Sequence, residues 1–131
     1  MQEIAVPTQS RSQFLDITRE VEKAVSDEGV SEGLCHVFVP HTTAGVTINE
    51  NADPAVSRDV QATLAALVPQ RGDYRHAEGN SDSHVKSCVV SCSALVPIAG
   101  GRLVLGTWQA IYFCEFDGPR RRRCLVTAIG N

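Results

Sequence analysis

Three of the four histidines, His41, His76 and His84, stand in stretches crowded with ligand-type side chains. His41 ends the run "VFVPH" and is followed by Thr42 and Thr43, while His76 and His84 bracket Glu78, Asn80, Ser81, Asp82 and Ser83 in "YRHAEGNSDSHVKS". Imidazoles beside carboxylates suit one of two chemistries: a divalent metal ion with an open coordination position, or general acid–base work on a phosphorylated ligand. His76 and His84 are too far apart for the one-face HExxH geometry of a helical zinc site. The connection between them must therefore fold back if both are to reach one ligand. A solvated polar loop is the plain alternative for this stretch. His36 is different, lying inside "CHVFV", and reads as structural.

Three further clusters carry polar chemistry. "PHTTAGVTINENADP" places Asn49, Glu50, Asn51 and Asp53 at the mouth of a predicted helix, and loops at element ends are common places for catalysis. Asp53 also has a sufficient structural job as a helix N-cap. In "GTWQAIYFCEFDGPR", Trp108 and Gln109 open a strand, and Glu115 and Asp117 close it. Trp108 reads as core packing with its indole N–H satisfied. Glu115, between Cys114 and Phe116, needs a partner such as an arginine or a metal wherever it is buried. "PRRRR", Arg120 to Arg123, is either a basic patch for nucleic acid or phosphate, or the start of a strand whose arginines alternate faces; its continuation into "CLVTAIG" favours the strand. G-x-S-x-G, GxGxxG and P-loop motifs are absent.

The elements that must position these groups alternate between strand and helix. "QEIAVPTQ" reads as a strand edged by Pro7. In "FLDITREVEKAVSDEG", Leu15, Ile17, Val21, Ala24 and Val25 follow helical spacing, with Asp16 at the first turn and Gly29 past the end. "GLCHVFVPH" and "GVTINEN" read as strands, the second with Val46 and Ile48 on one face. "DPAVSRDVQATLAALVP" has the strongest helical signature: Asp53 as cap, Pro54 at the first position, and Val56, Val60, Leu64 and Leu67 as an apolar stripe. "HVKSCVVSCS" stays open, because its valines lean toward strand whereas Ser81 or Asp82 could cap a helix. The C-terminal third reads as strands, with a hairpin at Gly100-Gly101.

The chain of 131 residues, 43% hydrophobic and 21% charged, has the length and composition of one globular domain spanning residues 1–131. The elements form an α+β scaffold dominated by antiparallel strands. A net charge of -3 argues against nucleic acid as a partner. No apolar run reaches the ~18 residues of a membrane span, and the N-terminus lacks a signal pattern, so the expected location is cytoplasmic with no membrane partner. The five cysteines have no C-x-x-C pairing and read as reduced thiols, with Cys35, Cys114 and Cys124 buried.

"HTTAGVTINENADP", "YRHAEGNSDSHVKS" and "GRLVLGTWQAIYFCEFDGPRRRR" together resemble the YjbQ family, whose members are described as secondary thiamine-phosphate synthase enzymes, and the similarity runs over nearly the whole chain. The resemblance implies a β-sandwich-like α+β fold with two to three helices and assembly as a homotrimer. It also implies that "SDSHVKSCVV" is helical. It implies that His41, His76 and His84 converge on a metal, zinc or magnesium, or on an anion, and that Glu50, Asn51, Asp53, Asn80, Asp82, Trp108, Gln109 and Glu115 line the same pocket. The activity it implies joins a pyrimidine pyrophosphate to a thiazole phosphate, with Glu50 or Asp82 orienting an imidazole and Arg120 stabilising the leaving group. A trimeric protein that holds a metal or a phosphorylated metabolite without turnover is the alternative.

Overall fold

The computed structural model describes every residue from Met1 to Asn131. Eight strands and three helices follow in the order β1 (Gln2–Pro7), β2 (Gln13–Asp16), α1 (Thr18–Glu28), β3 (Gly33–Phe38), β4 (Ala44–Glu50), α2 (Pro54–Leu67), α3 (Ser81–Val90), β5 (Ser93–Ala99), β6 (Arg102–Leu103), β7 (Gln109–Glu115) and β8 (Arg121–Gly130). The strands form two antiparallel sheets, β1-β8-β3-β5-β6 and β2-β7-β4. The fold is a single-domain α+β arrangement of curled antiparallel sheets with three helices.

Alternation explains the core. β8 buries Arg122, Cys124 and Val126 and turns Arg121 and Arg123 outward, as the strand reading of the arginine run requires. Val37, Val96, Val126, Val46 and Phe113, drawn from both sheets, join Val21 and Val25 of α1 in one cluster of 17 buried residues. Burying such aliphatic side chains stabilises the fold by roughly 1.5–3 kcal/mol each before the entropy of ordering is counted.

Several local expectations are redrawn. Phe14 and Leu15 belong to β2, not to the first helix, which starts at Thr18; the Asp16 carboxylate accepts from the Thr18 amide at 2.9 Å and so marks the boundary. Gly29 caps α1 at φ 70°, in the left-handed region that glycine tolerates. "SDSHVKSCVV" is helix α3, against its strand-leaning valines. α3 lies against β4, where Gly45 permits close approach: a Cβ there would lie 2.6 Å from the Ser91 carbonyl oxygen, which accepts the Val46 amide. α2 has its expected cap, Asp53 accepting from Ala55 N at 2.9 Å, yet none of its residues is buried and Leu67 is 72% exposed. Only Leu64 of its stripe reaches the small second cluster of Ala110, Tyr112, Cys114 and Phe116.

Candidate functional site

Beyond β3 the chain runs through Val39 and Pro40 to His41, and the Val39 amide donates to the Cys92 carbonyl at 2.7 Å. This bond draws the end of α3 alongside the end of β3. The first turn of α3 carries His84, and the start of β8 brings Arg120 and Arg122 to the same place. Together they enclose an open cleft of about 590 Å³ lined by His41, Thr42, Thr43, Asn80, His84, Arg120 and Arg122. An adjoining depression of about 480 Å³ shares His41, His84 and Cys92 and adds Cys88. A larger cleft of about 730 Å³ lies along α2 and holds Asp16, Asn51, Arg58 and Tyr112, but no histidine.

His41 is fixed by its surroundings. Its Nε2 accepts the Arg123 backbone amide at 3.1 Å, which assigns the neutral ring a proton on Nδ1, and its ring meets Phe113 edge-on at 6.5 Å. Burial, and then the charge of Arg122, hold its pKa below the ordinary histidine value, so it is a neutral hydrogen-bond donor at neutral pH. His84 and His76 lie edge to face with ring centroids 5.3 Å apart, and His76 Nε2 stands 3.6 Å from Glu78 Oε2. The long connection does fold back and bring these two histidines together.

Both cleft arginines are anchored by carboxylates. Buried Arg122 donates to both oxygens of buried Glu115, at 2.6 and 2.7 Å, and to Thr43 Oγ1 at 2.7 Å. Glu115 thus has the arginine partner its buried position demanded, and its commitment to that pair and to the Asp117 amide removes it from the catalytic set. Arg120 donates to Asp117 Oδ2 at 3.0 Å, and Asn80 Nδ2 donates to the same oxygen at 2.9 Å. Pre-positioned donors of this kind lose little freedom when a ligand arrives.

Asp82 does not orient an imidazole. It is fully buried and takes Arg11 on both oxygens, at 3.1 and 3.2 Å, with Lys86 Nζ at 3.1 Å. Burial pushes its carboxyl up, but the hydrogen bonds and charges of Arg11 and Lys86 outweigh this and hold it below the usual carboxylate range. Lys86 was visible as the i+4 neighbour of Asp82. Arg11, 71 residues away in sequence, gave no such signal.

The remaining candidates form a separate group. Glu50 pairs with Gln109 across β4 and β7, with Trp108 beside them. That end of β7 lies six residue steps from Glu115, roughly 20 Å along an extended strand. Gln109 Oε1 accepts the Gly106 amide at 2.8 Å, Asn51 Nδ2 donates to Asp16 Oδ2 at 2.9 Å, and Asp53 is the cap of α2. Trp108 is 64% exposed, contrary to the core-packing expectation. Within one chain, Glu50, Asn51, Asp53, Trp108 and Gln109 do not share the histidine cleft.

The three-histidine metal set is also corrected. No three His, Cys, Asp or Glu side chains converge closely enough to hold an ion, and Nε2 of His41 is already committed to a backbone N–H. Zinc and magnesium therefore do not fit the residues present.

Fold and cleft together define a small α+β domain with a polar, donor-rich cleft lined from the loop after β3, the start of α3 and the start of β8. Residues 2–131 match the family described as "UPF0047 protein YjbQ-like", and the chain belongs to that family. It is 48% identical over 126 residues to the UPF0047 protein MJ1081 of Methanocaldococcus jannaschii, covering 96% of this chain and 91% of that one. It is 47% identical over 128 residues to the UPF0047 protein YugU of Bacillus subtilis, covering 97% of each. The crystal structure of a YjbQ/UPF0047 family protein from Clostridium acetobutylicum, 52% identical, superposes with a TM-score of 0.97 over 98% of this chain and all of that one. A YbjQ-like protein of unknown function from Sulfolobus solfataricus, 30% identical, gives 0.95 over 99% and 96%. These relatives are named only as family members or as proteins of unknown function. Nothing in them points to thiamine-phosphate synthase or to its transferase chemistry, contrary to the activity implied by the resemblance.

Proposed function

We propose that the cleft between His41, His84 and Arg120 binds the phosphoryl group of a small phosphorylated metabolite. The observation that supports this reading most is the donor set: His41, neutral with its proton on Nδ1, Thr42, His84 and the anchored guanidinium of Arg120 line one open cleft. Guanidinium and imidazole donors suit a tetrahedral oxyanion, and Asp117 keeps Arg120 in place without using all of its N–H groups. Assembly as a homotrimer belongs to the same proposal. It is supported by an outward sheet face on which Leu95 and Ile129 stand 61% and 55% exposed, with no helix of the chain against it. No helix is long and apolar enough to cross a membrane, and the five free cysteines suit a reducing, cytoplasmic compartment.

Isothermal titration calorimetry with inorganic phosphate and a panel of phosphorylated metabolites tests the reading. The native protein binds at least one phosphorylated compound more tightly than its dephosphorylated counterpart, and His84→Ala together with Arg120→Ala weakens that binding at least tenfold. Equal binding of both forms, or none of either, overturns it.

A further inference from the structure

α3 is held in place by polar groups along its buried side. Ser83 Oγ donates to the Phe116 carbonyl, Ser87 Oγ donates to the Ala44 carbonyl at 2.6 Å, and buried Lys86 reaches Asp82 across one helical turn. These bonds pin the helix on either side of His84, which is half-buried and lines the cleft. A side chain carried on a fixed helix is positioned more sharply than one carried on a loop.

The lone pairs available in the cleft single out the same residue. His41 has spent the lone pair of Nε2 on the Arg123 amide, Thr43 Oγ1 accepts from Arg122, and Asp117 Oδ2 accepts from both Arg120 and Asn80. No group of the chain donates to a nitrogen of His84. Its ring meets His76 edge to face at 5.3 Å, and His76 Nε2 stands 3.6 Å from the Glu78 carboxylate. An imidazole with a free lone pair, backed by a second imidazole and a carboxylate, has the parts of an activated nitrogen nucleophile. A proton leaving one nitrogen of His84 passes to His76, directly or through one water, and Glu78 balances the charge.

We propose that His84 accepts a phosphoryl group, so that the cleft hydrolyses small acyl phosphates or phosphoanhydrides through a phosphohistidine. This rests on the anion-binding reading above and names its substrate class. A ring nitrogen of His84 attacks the phosphorus held beside Arg120. The N–P bond forms from the imidazole lone pair, the bridging P–O bond breaks, and its electron pair leaves on the oxygen of the departing group. The proton on the other ring nitrogen goes to His76. Water then attacks the phosphorus, the P–N pair returns to His84, and His76 gives the proton back. The class of leaving group follows from His41. Its Nδ1–H serves as a hydrogen-bond donor but is not given up, because a neutral ring that lost it would become an imidazolate. A departing alkoxide therefore finds no acid at His41, whereas a carboxylate or phosphate leaves as a stable anion and needs none.

Acetyl phosphate, glycerol 3-phosphate and inorganic phosphate are the probes. Native protein mixed with acetyl phosphate and quenched in alkali carries one phosphoryl group by intact mass, labile in acid and stable in alkali, and peptide mapping places it on His84. His84→Gln is not labelled, and glycerol 3-phosphate labels neither protein. His76→Gln lowers the labelling rate at saturating acetyl phosphate at least tenfold, while the half-saturating concentration and the affinity for inorganic phosphate stay within twofold of native. That split separates a proton-accepting His76 from a merely structural one. Label on Thr42 or Cys92, or equal labelling by glycerol 3-phosphate, would overturn the proposal. Phosphate heat in calorimetry without any label refutes phosphohistidine formation alone, and absence of both refutes the anion-binding reading as well.

Discussion

His41 and Arg123, 82 residues apart in sequence, are joined by the Arg123 amide donating to His41 Nε2 at 3.1 Å. The bond ties the loop after β3 to the start of strand β8 and leaves the other ring nitrogen of this cleft-lining histidine uncommitted. It also sets a pH dependence. The folded His41 has a lowered pKa, so the unfolded chain takes up its proton first, near pH ~6.5. Stability from this group is complete above that value and falls as pH drops below it toward the folded pKa.

Urea unfolding at pH values of about 7.5 and about 5.5 measures this contribution. The native protein loses stability between the two, and His41→Gln loses less. An identical drop in both proteins would mean that His41 is not the group responsible.

The buried pair Glu115–Arg122 gives a second expectation. Removing either partner strands a charge in the interior, and Glu115→Ala or Arg122→Ala costs about 3–5 kcal/mol in denaturant unfolding. The double replacement Glu115→Leu/Arg122→Met costs less than the more damaging single change, because no unpaired charge remains. A double variant as unstable as the sum of the singles would contradict this account.

Asp82 carries a third. Its lowered pKa means that its stabilising contribution is present above the unfolded value of about 3.9 and is lost as pH falls through the folded value. Asp82→Asn keeps the shape but removes the charge facing Arg11 and Lys86, so its stability falls less steeply than native in that acid range while starting lower at neutral pH. Acid titrations that superpose after correction for the starting difference would show that Asp82 is not the titrating group.

The thiols divide into two classes. Burial pushes Cys35 to about 11 and Cys124 to about 12, and raises Cys114 further, while Cys88 and Cys92 are exposed beside the cleft. Ellman's reagent therefore titrates two thiols in the folded protein and five after denaturation. Rapid reaction of a third thiol in the folded state would contradict the core assignment. Saturating phosphate slows the reaction of Cys92, which lines the cleft itself, and the rate with and without phosphate measures the effect.

What the sequence made legible follows from the range of each interaction. The fate of Arg121 to Arg123 came from strand alternation, and the α2 start from Asp53 and Pro54, because both signals are local. The hairpin glycines at φ 59° and 76° are another short-range signal. The state of "SDSHVKSCVV" was not legible from propensity, because packing of the helix on Gly45 of β4 and burial of Asp82 with Lys86 override the valines. In the site, His41, His84, Asn80 and Arg120 line one cleft, and His76 stands outside that lining, against the His84 ring. Glu50, Trp108 and Gln109 do not line it, since proximity along a motif says nothing about which end of a strand a side chain occupies. The partners Arg11 and Thr43 were missed because only the fold brings them within reach of Asp82 and Arg122.

The central claim is that His41 and His84 face one anion-binding cleft, and the most direct measurement follows both imidazole rings by proton–nitrogen NMR during a phosphate titration. The account predicts that the ring signals of His41 and His84 move together along one saturating curve, with the His41 proton on Nδ1 throughout, while His36 on the outer sheet face does not move. Unmoved His41 and His84 signals, or displacements that grow linearly without saturation at all four histidines alike, would contradict it.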